Sequence, residues 1–76
     1  MNPLSQRNII LSMLKSGRTV TPMDALNEAS SLRLSARIFE LKEDKWPIEC
    51  ERRDIGDGRV VGHYTLVNNK DLWPDN

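Results

Sequence analysis

The sequence predicts an α+β fold, three helices followed by a C-terminal β-hairpin, and three observations predict it. Apolar residues recur at helical spacing in three consecutive segments before residue 46. The joints between these segments carry helix-end and helix-start residues, Gly17 and Thr21-Pro22. Beyond Pro47 the pattern switches to alternation, interrupted by the turn sequence Ile55-Gly56-Asp57-Gly58.

The first helix is expected over residues 5–16, with Ser5 as N-cap, although Asn2-Pro3 offers an earlier start. Ile9, Ile10, Met13 and Leu14 form its apolar stripe, and Gly17 stands just past its end. The second helix, 22–29, has the clearest start. Thr21 is the cap, Pro22 fills the first helical position, and Asp24 completes a capping box. Val20 would be the outer half of a hydrophobic staple, and Ala25, Leu26 and Ala29 the buried stripe. The third helix follows within three or four residues. Leu34, Ile38 and Leu41 face one way, and Trp46-Pro47 is expected to end it, because Pro47 disfavours helix at the residue before it.

In the hairpin, Ile48, Cys50 and Arg52 alternate with Glu49, Glu51 and Arg53. Val60, Gly62, Tyr64 and Leu66 alternate with Val61, His63, Thr65 and Val67. Cys50 is read as a small apolar side chain on the inner face, His63 as a surface or hydrogen-bonded residue, and Met13 and Met23 as core filler. Residues 1–67 form the expected domain. Residues 68–76 form a polar tail, with Leu72-Trp73 as an anchor onto the first helix or another subunit.

Composition narrows the function. The chain has 76 residues, so it is one small domain with a modest core and no room for a large cleft. Its longest apolar run is three residues, Ile9 to Leu11, too short to span a membrane. One cysteine and one histidine are too few for a structural zinc site, and a lone cysteine suits a reducing compartment. No Ser/His/Asp arrangement or carboxylate pair is present to argue catalysis. Neither an enzyme, a cofactor, a metal nor a small-molecule substrate is expected. The charge balance, 11 basic against 11 acidic residues, weighs against nucleic acid, although residues 1–22 carry Arg7, Lys15 and Arg18 and no acid.

Helix, helix, short joint, helix and hairpin is the order of a winged helix-turn-helix, in which the third helix enters the major groove of DNA and the hairpin is a wing against the backbone. The third helix carries its charges against its dipole, with Arg33 and Arg37 early and Glu40, Glu43 and Asp44 late. Those arginines disfavour the helix by about 0.3–1 kcal/mol each. A charge-assisted hydrogen bond to phosphate or guanine returns about 1.5–3 kcal/mol. Ser35, Ala36 and Phe39 point away from the Leu34 stripe and complete the candidate reading face. Arg52, Arg53 and Arg59 near the hairpin turn are candidate phosphate contacts. Each of these has a plainer reading: Arg37 pairing with Glu40, Phe39 packing under the hairpin or tail, and the wing arginines pairing with Asp54 and Asp57.

The run Thr21-Pro22, Ala25-Leu26, Arg33 to Leu41, Trp46 to Ile48, Arg59-Val60 and Tyr64 resembles the small helix-turn-helix domain proteins of phages, prophages and mobile elements. The likeness covers roughly residues 5–67 and is most specific over 33–41. It implies a winged-helix DNA-binding protein, and the lone Cys50 and short apolar runs set the expected location as the bacterial or phage-infected cytoplasm. It would act as a transcriptional regulator, an excisionase-like architectural factor, or an accessory to other phage proteins. The expected partner is double-stranded DNA, with a homodimer or a protein partner supplying further contact area. The alternative is a protein-interaction module on the same scaffold, binding or modulating a host or phage protein.

Overall fold

The computed structural model describes residues 3–74. Three helices, α1 (Pro3–Lys15), α2 (Pro22–Ala29) and α3 (Leu34–Glu43), precede the antiparallel strands β1 (Ile48–Gly56) and β2 (Arg59–Leu66). A 3₁₀ turn, Lys70–Leu72, follows. This is the predicted winged helix-turn-helix order.

α1 begins earlier than Ser5, so Ser5 lies inside its first turn and is not the cap. Proline at the first helical position is the stronger signal, its φ being set for a helix. Asn2 lies outside the described residues. At the other end Gly17 adopts φ +92° and donates its N–H to the Leu14 carbonyl at 3.0 Å.

α2 starts as its sequence dictates. The Thr21 hydroxyl accepts from the Asp24 N–H at 3.3 Å, and the Asp24 carboxylate accepts from the Thr21 N–H at 3.0 Å. Its other end turns sharply, with Ser30 in the left-handed region and the Ser31 N–H returning to the Ala25 carbonyl at 3.0 Å. Ser31 is fully enclosed, and its hydroxyl accepts from the Arg33 N–H at 3.3 Å. These bonds hold the tight joint between α2 and α3. Arg18, before α2, grips Glu28 on it through two hydrogen bonds of 2.7 and 2.5 Å. That grip holds the Glu28 carboxyl below the usual carboxylate range.

α3 ends by a different device from the one expected. Lys45 sits at φ +76°, its N–H bonds the Lys42 carbonyl, and the Trp46 N–H reaches back to the Leu41 carbonyl at 3.1 Å. This is the double hydrogen bond of a Schellman cap, with lysine in the place glycine usually takes. The helix is therefore closed before Pro47 acts, and Trp46 folds onto the core beside Leu41.

Ile10, Leu14, Val20, Leu34, Ile38 and Leu41 lie at the centre of the core, with Trp46, Ile48 and Leu66 closing it below the hairpin. α2 contributes only Ala25 and Ala29, both fully buried, so small side chains are all that separate its backbone from its neighbours. Leu26 and Met23 are exposed, against the expectation that they are stripe and core residues. α2 is only two turns long and buries one narrow face, which leaves the rows beside it in solvent. Cys50 is also exposed, although alternation puts it on the Ile48 side. β1 leaves the body after Ile48, and past that point neither of its faces is covered.

The hairpin is closed by Asp57 (φ +54°) and Gly58 (φ +73°), a two-residue turn matched to strand twist, with a bulge between Asp54 and Gly56. It is tied to the helices by a contact without a local sequence signal. Val20 and Tyr64 exchange two backbone hydrogen bonds of 2.8 and 2.9 Å, making Val20 a one-residue third strand. At the opposite end the tail returns to the body. Trp73 donates its indole N–H to the Val67 carbonyl at 3.0 Å and packs 5.9 Å from Trp46, with the Lys15 ammonium over both rings. Leu72 remains exposed.

Two stability predictions follow from this packing. Leu34→Ala removes a side chain only 4% exposed at the centre of the core and is expected to cost about 2–5 kcal/mol in urea unfolding. Lys45→Gly relieves a left-handed lysine and is expected to raise stability by up to about 1 kcal/mol in the same assay.

Candidate nucleic-acid interface

α3 is held between α1 and the turn that follows α2, so its outer surface is decided by its own periodicity. Successive residues advance about 100°, which puts Ser35, Phe39 and Lys42 on one outer flank and Arg33, Arg37 and Glu40 on the other. Ala36 lies between them and is half-buried. Phe39 is 64% exposed and packs under neither the hairpin nor the tail. An exposed phenylalanine in mid-helix, with a serine one turn before it and a lysine almost one turn after, is a surface suited to base edges and thymine methyls.

The other flank is built differently. Arg33 is the N-cap residue of α3, and no side chain caps that N-terminus. The positive end of the helix dipole is therefore left without a side-chain acceptor. The Arg33 guanidinium has no hydrogen bond or ion pair among the described residues. Arg37 is not a free surface arginine, since its side chain is only 12% exposed and it pairs with Glu40 at 3.2 Å. The Arg37 Nε–H is enclosed and has no hydrogen-bond partner among the described residues. Gln6 on α1 donates to the Ser30 carbonyl at 3.1 Å, which pins α1 to the joint beside these arginines. Gln6, Ser30, Leu32, Arg33 and Arg37 together line an open cavity of about 370 Å³.

The wing does not gather its three arginines on one face. Register places Arg52 opposite Gly62, on the side of Asp54, Val60 and Tyr64. Arg53 and Arg59 fall on the other side, with Glu51, Val61 and His63. All three arginines are exposed. Arg53 pairs with Glu51 at 3.1 Å, which lowers the Glu51 carboxyl, so its partner is neither Asp54 nor Asp57. Asp54 instead accepts the Gly56 N–H at 2.8 Å and supports the bulge. Arg52 and Arg59 form no ion pair or hydrogen bond through their side chains among the described residues. His63 is half-buried, with its Nδ1 3.0 Å from the Val61 carbonyl. Burial and the neighbouring Cys50 push the Tyr64 phenol up.

A second surface lies beside this one. Pro22 and Met23 border a cleft of about 400 Å³ that runs to Ile55, Arg59, Val61 and His63 on the wing. The same two residues border a smaller cleft with Leu26, Ser31, Leu32 and Leu34, which has no charged residue in its lining. Leu32, at the α2–α3 joint, is 85% exposed. This apolar strip, and the roles of Gln6 and Lys42, do not follow from sequence pattern. Only Lys42 carried a usable signal, its spacing from Phe39. Among the described residues no group of three or more His, Cys, Asp or Glu could hold a metal, and no helix is long and apolar enough to cross a membrane.

A family model described as a winged helix-turn-helix domain matches residues 5–69. The chain belongs to that family, and DNA is the partner its fold serves. No curated protein and no solved structure matches the chain.

Exposure makes Phe39 separable from the fold. Phe39→Ala is expected to change unfolding free energy by no more than about 0.5 kcal/mol. A loss approaching that of a core truncation would place Phe39 in packing rather than on a contact face.

Proposed function

We propose that this winged helix-turn-helix protein binds double-stranded DNA as a phage or mobile-element transcriptional regulator or excisionase-like architectural factor, in the cytoplasm of the bacterial or infected cell. In this reading α3 lies in the major groove, with Ser35, Ala36 and Phe39 toward the bases. Arg33 and Arg37 stand at the helix N-terminus, and Arg52, Arg53 and Arg59 meet the flanking backbone from the wing. The observation that carries the reading is the outer face of α3, where a solvent-exposed Phe39 stands beside an uncapped, arginine-flanked helix N-terminus. Because Arg52 is on one side of the wing and Arg53 and Arg59 on the other, a single backbone strand engages one set or the other. A module of this size covers only about 600–1,000 Å² on DNA, so tight binding calls for a dimer, tandem sites or a protein partner.

One observation favours a second reading, a protein-interaction module on the same scaffold. The strip through Met23, Leu26 and Leu32 is exposed and apolar, and the net charge of the chain is zero. A host or phage protein would be its target.

Fluorescence anisotropy with mixed-sequence duplex at two salt concentrations separates the two. DNA binding is expected to be micromolar at low salt and to weaken steeply as salt rises. Arg59→Gln, which removes a guanidinium with no ion pair or hydrogen bond among the described residues, is expected to weaken binding to all duplexes alike. It should lower the salt slope by about one without changing the melting temperature. No binding at low salt would sink the DNA reading and favour a protein target.

A further inference from the structure

β2 carries an edge that the fold uses at one residue and then leaves open. Val20 exchanges both backbone hydrogen bonds with Tyr64, at 2.8 and 2.9 Å. The N–H and C=O of Tyr64 therefore face away from β1, and the alternation of an antiparallel ladder turns those of Gly62 and Val60 the same way. Val20 does not continue along them, because Thr21 caps α2 and Pro22 opens it. Among the described residues nothing outside the hairpin bonds the backbone of Gly62 or Val60. Open edges invite a further strand, and proteins blunt them with charge. β1 is blunted in that way by Glu49, Glu51, Arg52, Arg53 and Asp54. The β2 edge from Val60 to His63 has no lysine, arginine, aspartate or glutamate. Beside it lies the cleft of about 400 Å³ between Pro22-Met23 and the wing. Its walls are apolar at Met23, Ile55 and Val61, and Arg59 is the one arginine, lysine or carboxylate among the described residues that border it. Arg59 is exposed, and its guanidinium has no ion pair or hydrogen bond among the described residues.

We propose that this edge receives an extended segment of a partner protein, in which an apolar residue is followed two positions later by a carboxylate. The segment runs antiparallel to β2, as Val20 does. Its residues opposite Gly62 and Val60 exchange backbone hydrogen bonds with them. The residue opposite Val61 enters the cleft between Met23 and Ile55, and the carboxylate opposite Arg59 pairs with the guanidinium across the strands. Main-chain bonds supply the attachment and the two side chains supply the choice of partner. Charge complementarity sets that choice: an apolar cleft with one unpartnered base takes an apolar, acidic strand. The inference rests on the protein-interaction reading above and gives that reading its partner. Arg59 serves one partner at a time, so a bound strand takes it from the duplex backbone.

The test selects short random peptides from a displayed library against the full chain and resynthesises the recovered pattern as a free peptide. Amide hydrogen exchange of the ¹⁵N-labelled protein then reads the edge residue by residue. An apolar–any–acidic pattern is expected, and the free peptide should slow exchange of the Gly62 and Val60 N–H groups about tenfold or more. The Tyr64 N–H, already bonded to Val20, should change little. Arg59→Glu alters an exposed side chain and keeps the fold, and it is expected to reverse the selected charge from acid to base. The same acidic pattern recovered by Arg59→Glu overturns the pairing. A recovered peptide that leaves Gly62 and Val60 exchange unchanged while perturbing Met23, Leu26 and Leu32 overturns the edge site and leaves the protein-interaction reading standing. Recovery of no pattern overturns the edge site, and together with duplex binding at low salt it overturns that reading as well.

Discussion

The two backbone hydrogen bonds between Val20 and Tyr64 hold this molecule to one shape. A two-stranded hairpin is marginal in water by itself. Here β1 buries only Ile48, and most of the hairpin extends past the helical body. Pairing with Val20 gives β2 a second neighbour and fastens it at mid-length. Val20 immediately precedes the Thr21 cap, so the same contact sets where α2 begins. The position of the wing relative to α2 and the course of the chain into the α2–α3 joint are thus fixed together.

The joint itself is made of backbone and small side chains. Ser30 takes the left-handed conformation, Ser31 is enclosed and accepts from the Arg33 amide, and Ala25 and Ala29 let α2 pack closely. α3 starts at Arg33, whose side chain carries donors and no acceptor and so gives the helix no side-chain cap. The positive end of the α3 dipole and the arginines beside it therefore add in the same sense.

What could be read from sequence divides along the range of the interactions. The α2 start was legible because a cap, a proline and an acid at fixed offsets act within one turn. The Leu34–Ile38–Leu41 stripe was legible because periodicity alone orients it, and the turn because Asp57-Gly58 suits positive φ. Leu26 and Met23 were misplaced because a two-turn helix with alanines at its centre has several rows that look alike. Cys50 was misplaced because alternation gives a side and says nothing of where the body stops. Lys45 hid the true end of α3, since no lysine advertises a left-handed residue. At the candidate interface Phe39 and the wing arginines could be chosen by residue type. The enclosure of Arg37 could not, because tertiary packing decides it: Gln6 of α1, bonded to Ser30 across 24 residues, shares one cavity wall with Arg37.

The Lys15 ammonium lies over the rings of both tryptophans, Trp46 at the end of α3 and Trp73 in the tail. The sequence pattern of the family ends at residue 69, whereas the packing continues to Trp73. A chain trimmed to the recognisable pattern would lose one wall of that aromatic clamp and bare the Trp46 indole. The boundary of inheritance and the boundary of cohesion therefore differ by four residues. The chain's two indoles meet at this seam, so its ultraviolet emission reports whether the tail is latched rather than what happens at α3.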